Sequence, residues 1–220
     1  MKASNADSVS AGLGLIWLMV ALGLVLLLAQ RAAAPERQVP ADGRIEVLGA
    51  VEAAPVDPVR QAAVQHEQRA LAEYIARRWR IADSAAASFV AIAYRAGQQH
   101  SVDPVLILSV MAIESRYNPV AESDMGAKGL MQVIPRFHLE KLSDHGGEEA
   151  LLDPEVNIHV GAQILREYYR RFGDQELALQ MYAGAFDEPT SQYAGKVFAE
   201  RARLEPVRQR ARKPQTAQAV

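Results

Sequence analysis

The sequence predicts an all-α domain preceded by one N-terminal transmembrane or signal helix. Beyond Val59 the apolar residues recur at three- and four-residue spacing, the period of one face of a helix. An Asp-Pro pair, a side-chain cap followed by a residue suited to the first helical position, occurs twice, at Asp103-Pro104 and Asp153-Pro154. Near the start, "AGLGLIWLMVALGLVLLLA", Ala11 to Ala29, carries no charge. At roughly 1.5 Å per residue its length approaches the ~30 Å of a bilayer core.

Residues 1–30 therefore read as an N-terminal membrane anchor or signal segment. A cleaved signal usually has a shorter apolar stretch, and the one A-x-A-like site, Ala32 to Ala34, leaves Pro35 at the new terminus. Lys2 on one side and Arg31 and Arg37 on the other do not settle orientation. Residues 31–59, with Pro35, Pro40, Pro55 and Pro58 among Ala, Gly and charged residues, read as a flexible linker, with "RIEVLGAV" as a short strand within it. Residues 60–204 form the helical domain. Its first helix covers "QAAVQHEQRALAEYIARRWR", and a second, "SAAASFVAIAYRAGQQH", follows Asp83 as N-cap. "SVDPVLILSVMAIES" opens on Asp103 and Pro104 and stops before Pro119; "LLDPEVNIHVGAQILREYYRRFG" opens on Asp153 and Pro154 and closes on Gly173. "QELALQMYAGA" and "SQYAGKVFAERARL" complete the set. Residues 205–220, rich in arginine and poor in apolar side chains, read as a basic disordered tail in water.

A chain of 220 residues, half of them hydrophobic, holds one domain with a real core plus appendages. A net charge of -2 gives no basic field to draw nucleic acid. With no cysteine, disulfides, thiolate metal sites and a cysteine nucleophile are excluded. His66, His100, His138, His145 and His159 show no metal-ligand spacing, so no metal and no cofactor is implied.

Two stretches carry chemistry. Val105 to Ile113 leave the third helix almost no polar face, so it runs through the core and Glu114 ends it in apolar surroundings. Desolvation there raises a carboxyl pKa, as a general acid near neutral pH requires. The plainer alternative is a helix-end Glu114 paired with Arg116 and facing water. In "AESDMGAKGLMQVIP", Gly126 and Gly129 allow a backbone that lies against a ligand, Leu130 and Met131 supply apolar contact, and Gln132 offers an amide that both donates and accepts. A glycine-punctuated helix start fits this second stretch equally well.

The ordered set of Glu114-Ser115 after an apolar helix, S-x-x-G-A-x-G-L-M-Q from Ser123 to Gln132, and D-P-x-x-N-I-x-x-G from Asp153 to Gly161 resembles the lytic transglycosylases of the soluble-transglycosylase (SLT) type. The resemblance spans roughly Ser84 to Leu204 and implies a lysozyme-like helical fold. It also implies cleavage of the β-1,4 bond between N-acetylmuramic acid and N-acetylglucosamine in peptidoglycan, leaving 1,6-anhydromuramoyl ends. Glu114 would then be the single catalytic acid and base, with the substrate's N-acetyl group standing in for a second carboxylate. Ser115 would position locally, Ser123 would bond near the muramoyl sugar, and Gly129, Met131 and Gln132 would line the cleft. The family's Y-N-A-G stretch, whose tyrosine reaches the glutamate, is replaced here by "QMYAGAFDEP". Aligning Ala183-Gly184 puts Tyr182 at the family's asparagine, so either Tyr182 serves after a loop shift or Glu114 is oriented otherwise, with Asp187 and Glu188 as contributors. Tyr168, Tyr169 and Tyr193 either stack on sugars or pack in the core. Asn157 and Gly161 read as architectural, setting up their helix.

The implied partners are glycan strands and, through the N-terminal helix, the inner membrane, with the catalytic domain in the periplasm; export after signal cleavage is the alternative. Two other functions compete. One is a hydrolytic muramidase using Asp124 or Glu122 to activate water, and the other is a weakly active glycan-binding scaffold of the envelope.

Overall fold

Helix α1 (Pro58–Trp79) begins on Asp57, whose carboxylate accepts the Val59 N–H at 2.9 Å, so helical structure starts inside the segment expected to be linker. The structure, a computed structural model, describes residues 57–185 and 189–213. The expected anchor, the short strand, Asp187 and Glu188 lie outside those residues. Among the described residues no helix is long and apolar enough to cross a membrane.

After α1 come α2 (Asp83–His100) and α3 (Pro104–Glu114). Asp83 is not the cap of α2: Ala82 holds that position, and Asp83 sits in the first turn, where its charge faces the positive helix end. An irregular stretch follows, with short helical turns at Pro135–Phe137, Leu139–Leu142 (α4), Ser143–His145 and Glu148–Leu152. Then come α5 (Pro154–Phe172), α6 (Gln175–Tyr182) and α7 (Gln192–Arg212). Asp103 and Asp153 cap α3 and α5 through their side chains, each with proline in the first turn, and Gly173 closes α5 at φ 72°. Among the described residues there is no named strand, only isolated bridges of Lys128 to Glu122 and to Val133, and the fold is all-α.

Helix α3 is the axis of the domain. It packs between α2 and α7; α1 lies on α2 and α7, and α5 on α2 and α6. Every residue from Val105 to Ala112 is buried, including Ser109, whose hydroxyl donates to the Val105 carbonyl at 2.6 Å. Leu71, Val90, Ile158, Leu179 and Leu204 close around the helix from the neighbouring elements.

The tail expected from residue 205 is not a solvated coil at its start. Helix α7 runs on to Arg212, with Leu204 and Ala211 buried. Its arginines cover carboxylates far away in sequence: Arg212 meets Glu67 at 2.6 Å, and Arg208 meets Asp103 at 2.7 Å. Glu200, on α7 itself, accepts from Arg78 and Arg203. Glu67 and Glu200 are each only 2% exposed, and a carboxylate so placed needs a cation or donor beside it.

Candidate active site

Glu114 is the last residue of α3, and the turn behind it is tightly held. Arg116 and Tyr117 both have positive φ, 53° and 62°, a conformation unfavourable for side chains other than glycine. Burial of Tyr117 offsets it: the ring turns back under α3, 1% exposed, and its hydroxyl donates to the Leu108 carbonyl at 2.9 Å. Ser115 ties the same end to the next loop, with Oγ 2.7 Å from the Leu130 oxygen and 3.2 Å from that of Met111. The Glu114 carboxyl is thereby fixed at the mouth of the apolar core.

Among the described residues, the group that meets this carboxyl is the Tyr193 hydroxyl of α7, donating to Oε1 at 2.5 Å. Arg116 is exposed and forms no ion pair with it. Burial pushes the Glu114 pKa up to about 7, and the Tyr193 hydrogen bond only partly opposes that. Its place at the negative end of α3 works in the same direction as burial. Tyr193 is held well above the ordinary phenol range by burial and then by the Glu114 charge, so it remains a donor.

Tyr182, at the end of α6, donates to the Met131 carbonyl at 2.7 Å rather than to Glu114. Its phenol is raised first by burial and second by the Glu114 charge. The tyrosine on the glutamate therefore comes from α7. Residue Tyr193 carried no local signal, because its contact spans 79 positions.

The loop from Ala121 to Val133 is held from beneath by Asn157 of α5. The Asn157 amide accepts from Met131 N–H at 2.7 Å and donates to the carbonyls of Lys128 and Leu151 at 2.9 and 2.8 Å. Asn157 is fully buried, so it is architectural, but it organises the loop rather than its own helix. Gly129 sits at φ 73°, where an added Cβ would lie 2.3 Å from Asn157 Nδ2. Its lack of a side chain serves this internal packing.

Met131, expected to line the cleft, turns its side chain inward. It is 0% exposed and packs into the space left by Gly161, whose added Cβ would lie 2.5 Å from its sulfur. Its side chain is core, and only its backbone reaches the site. Gln132, partly exposed at φ 50°, spends both amide hydrogens on the Ala121 and Gly129 carbonyls, at 3.1 and 3.0 Å. Its carbonyl oxygen is what it can offer a ligand. Ser123 closes the tip of the loop by accepting the Ala127 N–H at 3.1 Å, which leaves its hydroxyl proton to donate. Glu122 is engaged by Lys128 at 3.1 Å.

Beside Gln132 and Tyr182 opens a cavity of 330 Å³, walled by Val133, Ile134, Phe137 and His138, by Ile164 and Tyr168 of α5, and by Met181, Ala183 and Gly184. A protonatable carboxyl at a dry helix end with a tyrosine bonded to it, and a cavity lined by Gln132 and Tyr182, are parts from which a proton-transfer site can be built.

Comparison with known proteins finds a family match over the segment that holds these residues. The family model for the transglycosylase SLT domain matches residues 91–197, from within α2 to within α7 and so across Glu114, Asn157 and Tyr193. This segment is an SLT-type domain. Among relatives of the SLT domain, a transglycosylase of Enterobacteria phage PRD1 is 37% identical over 108 residues, 47% of this chain and 39% of that protein. The soluble lytic murein transglycosylase of Salmonella typhimurium is 36% identical over 75 residues, 32% of this chain and 12% of the relative. The membrane-bound lytic murein transglycosylase C of Sodalis glossinidius is 32% identical over 115 residues, 50% of this chain and 29% of the relative. The chain thus spans well under half the length of these relatives. Helix α1 and the last turns of α7 lie outside the matched SLT segment.

Proposed function

We propose that the protein is a peptidoglycan lytic transglycosylase. It cleaves the β-1,4 bond between N-acetylmuramic acid and N-acetylglucosamine and leaves 1,6-anhydromuramoyl ends. The observation that carries this reading is Glu114, a carboxyl whose pKa of about 7 keeps a large protonated fraction at neutral pH, with Tyr193 donating to its oxygen. In its acid form Glu114 protonates the glycosidic oxygen as the bond to C1 breaks. The resulting carboxylate then takes the proton of the muramoyl 6-hydroxyl while that oxygen closes on C1. The leaving sugar carries one proton away and the glutamate recovers one, so no water is consumed. The substrate's own N-acetyl oxygen stabilises the cationic carbon, as in substrate-assisted glycosidases.

In this reading Tyr193 holds the carboxyl in place, the Gln132 carbonyl oxygen and the Ser123 hydroxyl meet the sugars, and Tyr182 shapes the floor by clamping Met131. Glu122 is poorly suited to activate water, because Lys128 already occupies its carboxylate. The apolar run from Ala11 to Ala29 anchors the chain in the inner membrane, with the SLT domain in the periplasm beside its polymer. Mass spectrometry of muropeptides released by the purified full-length protein tests the reading. Products with 1,6-anhydro ends are expected, and reducing ends alone would identify a hydrolase instead.

A further inference from the structure

Among the described residues, one exposed apolar side chain that this mechanism does not use lines the cavity beside Gln132 and Tyr182. Phe137 stands at the end of the Pro135–Phe137 turn, 62% exposed, on the wall of the 330 Å³ cavity that Gln132 and Tyr182 share. A large aromatic ring in water is unfavourable at about 25 cal/mol per Å² of apolar surface, and a ligand that covers it recovers that free energy. The ring is also braced. The Arg136 guanidinium lies over one face, 4.7 Å from the centroid, and Arg136 is itself pinned by donating to the Met125 carbonyl at 2.9 Å. With one face covered and the turn held, the other face is presented at a set angle, and little freedom is lost when something lands on it.

The cavity supplies the direction. Its lining includes Gln132 and Tyr182 as well as Phe137, so a strand held against those two residues and continuing along the cavity passes the ring. A pyranose presents a flat face of C–H bonds, which packs on an aromatic π-face, while its hydroxyls and acetamido group point sideways toward polar groups such as His138. We infer that Phe137 is a stacking platform for a sugar ring of the glycan strand away from the scissile bond, giving preference for long strands; the inference rests on the peptidoglycan-cleaving reading above.

The test is a ratio. Wild-type and Phe137→Ala full-length chains are assayed on uncrosslinked glycan strands many disaccharides long and on a single muropeptide tetrasaccharide. The long-to-short ratio of kcat/KM is expected to fall about fivefold in Phe137→Ala, mainly through KM on the long strands. Phe137→Trp restores the ratio and Phe137→Leu does not. Because the side chain is mostly in water, melting temperature moves little in all three. An unchanged ratio in Phe137→Ala, or full rescue by Phe137→Leu, overturns the platform and leaves the transglycosylase reading standing. A wild-type dimer that Phe137→Ala dissociates makes the ring a contact between copies and overturns the glycan assignment. If the wild type itself releases no 1,6-anhydro ends, the reading of the site fails and the platform falls with it.

Discussion

Helix α3 carries a carboxylate at each end, and the two are held in opposite states. Asp103, the N-cap, is also largely out of water, and burial alone would raise its pKa. It is nonetheless lowered, because Arg208 and the Val105 N–H bond it and Arg201 stands 2.6 Å away. Glu114, eleven residues on, has a tyrosine where Asp103 has two arginines, and burial lifts it to about 7. The helix field adds to both differences, favouring an anion at the N-terminus and opposing one at the C-terminus. The same functional group is held as an anion or left to titrate near neutrality according to which partners the fold supplies.

The largest expected effect breaks the Glu114 end. Glu114→Gln keeps the shape and removes the proton, so turnover should fall about a thousandfold or more while binding to peptidoglycan persists. Retention of turnover would falsify the catalytic assignment. At the other end, Asp103→Ala removes the cap and leaves Arg201 and Arg208 facing each other, at a cost of about 2–3 kcal/mol in chemical denaturation. A loss below about 0.5 kcal/mol would mean that the cluster adds nothing beyond packing.

Comparing the ends by pH sharpens the contrast. The folded pKa of Glu114 is raised, so its contribution is most favourable below the unfolded value near 4.5 and is lost as pH rises through about 7. Glu114→Gln should therefore be more stable than wild type at pH 8, by about 2 kcal/mol, with the gain shrinking to nothing in mild acid. Asp103 has a lowered pKa, so its contribution is present above its unfolded value near 3.8 and is lost as pH falls through the folded one. The deficit of Asp103→Ala should shrink in acid. Two variants of one helix should thus diverge in opposite directions above neutrality in thermal melts, and parallel behaviour would refute the contrast.

The smallest effect concerns the hydrogen bond alone. Tyr193→Phe removes the donor that favours the charged form of Glu114, so its pKa should rise further. Glu114 must be protonated to act as an acid, and the alkaline limb of the pH–kcat/KM profile should move upward. A limb that stays in place would show that Tyr193 only fills space.

What could be read in the chain follows the reach of each interaction. Asp103-Pro104, Asp153-Pro154 and Gly173 mark helix ends through bonds two to four residues long, and those ends stand where expected. The apolar run of α3 likewise announced a buried helix with Glu114 at its margin. Tyr193 was not singled out for Glu114, and the arginines from residue 205 on were assigned to solvent. Their partners lie 79 to 145 positions away, and nothing in "SQYAG" or "VRQRAR" signals them. Met131 and Gly129 were expected to face the substrate, but loop residues carry no period from which to read their direction. Only the positions of Asn157 and Gly161 show that both face inward.

Asn157 has a consequence for how tightly a ligand can be held. One amide with three internal bonds fixes the turn from Lys128 to Met131 before anything arrives. Gln132, which follows this turn, is therefore held in place beforehand, and a contact it makes with a ligand loses little to ordering of its backbone. A looser turn would have to be ordered by each new strand, and a strand sliding on after every cut would meet that cost again at each step.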